Sequence, residues 1–116
     1  MPLIRIISSA EPAKDSEEAL LQKLSALLAK QLGKPESYVM TCLEPRARMT
    51  FAGSNEPACY VEVKNVGVFA ADRTAPLSAA ITEVLASGLH VARGRIYIEF
   101  SDARPHMWGY DGDTFA

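Results

Sequence analysis

Arg95-Ile96-Tyr97-Ile98-Glu99-Phe100 alternates apolar and polar side chains with the period of two that a half-buried strand requires. Ile96, Ile98 and Phe100 share one face, Tyr97 and Glu99 the other. Upstream, Leu77, Ala80, Ile81, Val84 and Leu85 recur at helical spacing, predicting a helix that ends near Gly88. Asp72-Arg73-Thr74 reads as the chemistry of its start. Before that, residues 59–69 predict a strand with Val61, Val63 and Val66 on its apolar face and a kink near Asn65 to Gly67. Strand, helix and strand in this order make a β-α-β unit, whose crossover is expected to be right-handed.

The first half of the chain repeats the pattern. Leu3-Ile4-Arg5-Ile6-Ile7 is a strand-like run, and Asp15 with Glu18 reads as a helix N-cap and capping box. Leu20, Leu21, Leu24, Leu27, Leu28 and Leu32 then form one apolar helix face, Gly33 suits the C′ position, and Pro35 bars continuation. Residues 38–43 predict the second strand, and residues 44–57, with two prolines, Gly53, Ser54 and Asn55, a long loop. Leu3 to Tyr38 spans 35 positions and Val61 to Tyr97 spans 36, so the halves match. The expected fold is α/β (α+β): one domain over residues 1–116, made of two pseudo-repeats (about 2–45 and 58–101) and a C-terminal tail. Four strands form a mixed sheet with two helices on one face. Two helices leave the other sheet face bare, and the apolar and aromatic residues expected there favour self-association. The tail His106-Met107-Trp108-Gly109-Tyr110 could add a strand to a neighbour's edge.

Composition narrows the function classes. Apolar residues are 48% of the chain and the net charge is −2, as in an ordinary folded domain. The basic residues are scattered in pairs such as Arg46/Arg48 and Arg93/Arg95, so no nucleic-acid partner is expected. No apolar run reaches a membrane span, and no signal peptide is visible, so the expectation is a cytoplasmic protein without a membrane partner. Cys42 and Cys59 lack redox or metal spacing, and His90 and His106 lack ligand-like neighbours, so no metal or cofactor is expected.

The chain begins Met1-Pro2. Proline is small enough for the initiator methionine to be trimmed, which leaves a secondary amine at the mature N-terminus. A main-chain amine has a reference pKa of about 7.7–8.0, and burial or a nearby cation lowers it toward neutrality. Such a group can remove a proton from carbon without help from a side-chain base. With Met1 retained, Pro2 is an amide and has no basicity. Lys34, directly after the helix-ending glycine, would by itself be read as a solvated charge complementing the helix dipole.

Several segments in order carry a resemblance: Met1-Pro2 before the short strand; Leu32-Gly33-Lys34-Pro35; Met49-Thr50-Phe51-Ala52-Gly53-Ser54-Asn55-Glu56-Pro57; Val66-Gly67; Arg95-Ile96-Tyr97-Ile98; and Thr114-Phe115-Ala116. Over its whole length the chain resembles the macrophage migration inhibitory factor branch of the tautomerase superfamily, in a microbial-type form. The resemblance implies a homotrimer of β-α-β-β-α-β subunits that share active sites, and cofactor-independent enol–keto tautomerisation of phenylpyruvate-like α-keto acids. It implies Pro2 as the catalytic base and Lys34 as the cation for the substrate carboxylate. The Val66 backbone amide would face the substrate, and Tyr97 would reach the site from the adjacent subunit. Trp108, Tyr110 and Phe115 would line the pocket mouth, with the tail aromatic placed differently from relatives. Glu99 replaces the asparagine of animal members, and the Cys-x-x-Cys of animal members is absent, Ala58 and Val61 standing in its places.

The chemistry is coherent without the resemblance. Moving a proton between carbon and oxygen of an α-keto acid needs a base near neutral pKa, a cation and an apolar slot for the ring. Pro2, Lys34 and the aromatics supply them. Two other readings stand beside it. In one, a proline-dependent hydratase, dehalogenase or decarboxylase acts on small unsaturated acids, with Glu99 activating water, although the paired arginines of such enzymes are not evident. In the other, the chain is a cytokine-like protein ligand with vestigial tautomerase activity.

Overall fold

The computed structural model describes residues 1–116. Its elements run β1 (Leu3–Ser8), α1 (Glu17–Leu32), β2 (Met40–Glu44), β3 (Cys59–Val66), α2 (Thr74–Leu89), β4 (Ile96–Ala103) and a short pair, β5 (Gly109–Tyr110) and β6 (Asp113–Thr114). The four long strands form one mixed sheet in the order β2-β1-β3-β4. β1 runs parallel to β2 and antiparallel to β3, and β3 runs parallel to β4. Each β-α-β unit therefore contributes one parallel pair, and the two pairs meet at β1 and β3. No helix is long and apolar enough to cross a membrane.

Both helices lie on one face of the sheet. Leu20, Leu24 and Leu28 from α1 and Leu77, Ile81 and Leu85 from α2 join Ile4, Ile6, Val61 and Val63 in a single buried cluster. Period-two burial in β1 and β3 meets the helical period of the leucines, as the sequence requires. The helices approach each other closely at Gly88, where a Cβ would lie 2.8 Å from Leu20 Cδ1. Gly88 is thus inside α2. The helix ends one residue later, with His90 in the left-handed conformation (φ 55°).

The ends of the elements depart from expectation in local ways. Gly33 terminates α1 as predicted, with φ 63°. Its start is different: Asp15 is itself left-handed (φ 62°), Ser16 is the N-cap, and no side chain caps the helix. The Ser16 hydroxyl donates backwards to the Ala13 carbonyl at 2.6 Å, so no capping box forms. After Pro35 the chain makes a 3-10 turn over Glu36–Tyr38, and β2 begins only at Met40. β3 stops at Val66, where Gly67 takes φ 97°, so the expected kink is the end of the strand. In the tail, Gly109–Tyr110 pairs with Asp113–Thr114 in a hairpin within the chain.

The bare face of the sheet carries more charge than expected. The register places Cys42, Arg5, Glu62 and Glu99 in one row across its middle. Arg5 Nε donates to Glu44 at 2.6 Å, and Arg5 Nη1 lies 3.5 Å from Glu62. Apolar and aromatic side chains, Leu3 and Met40 at one end and Ile7, Tyr60 and Tyr97 at the other, flank this charged row.

Candidate active site

Pro2 sits just before β1, fully buried, with its carbonyl accepting the Met40 N–H at 3.0 Å. That bond ties the chain start to β2. A cavity of about 250 Å³ opens here, walled by Met1, Pro2, Tyr38 and Met40 on one side and by Trp108, Tyr110 and Phe115 on the other. The aromatic wall is self-organised. Tyr110 stacks on Phe115 with centroids 5.4 Å apart, and Tyr38 meets both edge-on at 5.5 and 6.1 Å. The Phe115 N–H donates to the Pro105 and Trp108 carbonyls, each at 3.2 Å, which folds the end of the tail back on the turn at residues 105–108.

Lys34 is held where α1 ends, its N–H donating to the Ala29 carbonyl at 3.1 Å. Its side chain lines a cleft of about 420 Å³ together with Lys30, Asn65, Val66, Phe69 and Arg73. No carboxylate lines this cleft, so three cations face one opening, and an anionic group entering it is favoured. Lys34 also acts on the chain start. Burial first, and the Lys34 ammonium second, hold the α-amino group of Met1 below its ordinary value. The buried chain start, a lysine and an apolar wall thus lie at one end of the sheet.

Tyr97 and Glu99 lie elsewhere in the protomer. Tyr97 pairs in register with Tyr60, which pairs with Ile7, five residues along β1 from Pro2. At about 3.3 Å per residue this is roughly 17 Å away. Tyr97 is 65% exposed, and its ring packs on Phe51 at 4.8 Å. Glu99 stands beside Glu62 on the bare face, whereas Pro2 follows the buried parity of Ile4 and Ile6. Burial, then Glu99 and Glu62, raise the Tyr60 phenol above its ordinary value.

Sequence reasoning missed three features here. Tyr38 was expected to open a strand, yet Pro35 turns the chain and delivers its ring to the cavity. Asn65, buried beside Val66, was read only as the start of a kink in β3. Arg95 was expected to begin a strand. Its guanidinium instead donates to the backbone carbonyls of Phe51, Ser54, Glu56 and Pro57 at 2.9–3.1 Å and lies 5.3 Å from the Phe51 ring centroid. A roomier cleft of about 590 Å³ lies between Val68 and Met107. Its one carboxylate, Asp102, already accepts the Phe69 N–H at 3.3 Å, and no base or nucleophile shares it, so the smaller aromatic-walled cavity is the better candidate. No group of three or more His, Cys, Asp or Glu side chains is placed to hold a metal ion. Cys59 is buried, with its thiol 3.4 Å from the Ser8 hydroxyl, and burial pushes that thiol up.

Comparison with known proteins bears on this geometry. The family profile described as macrophage migration inhibitory factor matches residues 1–116. A macrophage migration inhibitory factor homolog of Trichuris trichiura is 33% identical over 115 residues, covering 99% of this chain and 100% of that protein. The crystal structure of a homologue from Prochlorococcus marinus superposes with a TM-score of 0.93 at 44% identity, over 98% of this chain and 99% of that one. The Trichinella spiralis protein superposes with a TM-score of 0.90 at 27% identity, over 97% and 99%.

Proposed function

Because the chain belongs to the macrophage migration inhibitory factor family, we propose that it is an enol–keto tautomerase of phenylpyruvate-like α-keto acids, using the Pro2 amine as base once Met1 is removed. The observation that carries this reading is the meeting of the buried chain start with an aromatic-walled cavity and the Lys34 cleft. The Pro2 amine takes a proton from the carbon beside the carbonyl and returns one to that carbon in the reverse direction. The Lys34 ammonium pairs with the substrate carboxylate, and Val66 presents its backbone at the same cleft. Trp108, Tyr110, Phe115 and Tyr38 enclose the aromatic ring and exclude water.

The working unit in this proposal is a homotrimer with sites shared between subunits. Tyr97 and Glu99 lie too far from Pro2 to serve the same protomer's cavity, yet Tyr97 is exposed on a face that no helix covers. Brought from a neighbour, Tyr97 would close the slot and Glu99 would stand near the substrate's distal end.

Ketonisation of phenylpyruvate by Met1-free protein tests the reading. General-base contributions are typically about 10²–10⁴-fold, so Pro2→Gly should lose at least two decades in kcat. A loss below about tenfold would place the base elsewhere. Mixing inactive Pro2→Gly and Tyr97→Ala subunits should restore part of the activity, since hybrid trimers would contain intact sites. No recovery in verified hybrids would sink the shared site and leave the base untouched.

A further inference from the structure

Asn65 is 5% exposed on the helix-covered side of β3, yet its Oδ1 has no hydrogen-bond partner. Buried amide oxygens rarely stay unpaired, and one beside a candidate site points to a donor that arrives there. The register narrows that donor. Leu3 pairs with Lys64 and Ile4 with Val63, so one further step sets Pro2 against Asn65. Both residues are buried and follow the parity of Ile4 and Val63, and cross-strand neighbours of this kind have Cβ atoms about 4.5–5.5 Å apart. With Met1 attached, the Pro2 nitrogen is a tertiary amide with no hydrogen to give. Removal of Met1 turns it into a secondary amine with one N–H when neutral and two when protonated.

We infer that Asn65 Oδ1 accepts a hydrogen bond from the trimmed Pro2 amine and so aims the amine's lone pair into the cavity. Asn65 is then a positioning residue for Pro2, and the role rests on Pro2 being the base. The hydrogen bond is stronger to the charged amine, so Asn65 holds up the proton affinity that burial and Lys34 lower. Other charges surround the pair: Lys30 at the end of α1, Glu36 in the following turn, Arg73 at the head of α2, Lys64 on β3, and Asp102 across from Asn65 on β4. None of them shares Asn65's combination of burial, parity and an unpaired acceptor.

The test is a titration that needs no substrate. In Met1-free protein labelled with ¹⁵N-proline, Pro2 is the one secondary amine among seven prolines, and its shift reports its own pKa. Asn65→Val should lower that pKa by about half to one unit. It should also reduce kcat several-fold with little change in KM. Asn65→Asp should raise the pKa by about one unit or more. An unmoved Pro2 titration in a folded Asn65→Val variant, or an upward shift there, overturns the inference. Should that variant not fold, Asn65→Asp decides by the presence or absence of the upward shift. Loss of the proline-base reading would show separately, as a Pro2→Gly variant that keeps its activity.

Discussion

On the side of the sheet that carries the helices, Ile4, Ile6, Val61 and Val63 are fully buried, whereas on the other side the same strands present Leu3, Arg5, Glu62 and Lys64. One residue along each strand separates the two chemistries. The covered side is held by apolar burial, which is non-directional and sums over many contacts. The bare side is held by few, directional, half-exposed pairs, and such pairs add little to a protomer's own stability. Its charged row is better suited to fixing how a second copy docks, since like charges in a wrong register repel. In the proposed trimer, the strand pleat would thus separate stability from recognition.

Substitutions on the two sides should differ in scale. Leu85→Ala, in the last third of α2 and fully buried, is expected to cost about 2–5 kcal/mol in urea unfolding. A value under about 1 kcal/mol would mean that the covered face is not where the stability resides. Next comes Arg95, at the rim between the faces. Arg95→Ala removes charged donors from four backbone carbonyls and should cost about 1–3 kcal/mol while making residues 51–57 a protease target. Arg95→Lys should rescue little, because an ammonium cannot span the planar fork. An uncleaved loop in both variants would remove Arg95 from this role.

The smallest effect belongs to the bare face. The hydrogen bond from Arg5 holds the Glu44 carboxyl below its ordinary value, against the opposing effect of desolvation. A depressed acid contributes stability above its unfolded pKa, about 4.3, and loses it as pH falls through the folded value. Glu44→Gln should therefore be slightly less stable than the parent near neutrality and converge with it in acid. Added salt should narrow the gap. A difference that persists unchanged at pH 3 would show a packing effect instead.

The architecture was legible in the sequence because its signals are periodic. The leucines of α1, the alternation of Ile96 to Phe100 and the Gly33 stop each reflect one local rule, and the structure keeps all three. What failed was decided by a single contact. Ser16 displaced Asp15 as N-cap, and its hydroxyl turns back to Ala13, whereas α2 ends near Gly88 as expected, one residue on at Leu89 with His90 as its left-handed cap. The site was half legible. Pro2, Lys34 and the tail aromatics were named from the resemblance, and the fold gathers them at one end of the sheet. Tyr38 and Asn65 could not be named, since their places depend on a turn and on a cross-strand register that no local pattern encodes.

The Arg95 clamp has a consequence for how the loop can vary. Apart from the Phe51 ring beside it, it reads main-chain oxygens, so its hydrogen bonds do not depend on the side chains of Ser54 and Glu56. What it demands is a backbone path, set by Ala52 and Gly53 in left-handed conformations between the bridged Phe51 and Ser54. Residues at the tip can therefore be exchanged for others with the same turn geometry, and a foreign recognition sequence grafted there would keep its anchorage. The segment that looks like a floppy connector is a socket with interchangeable contents.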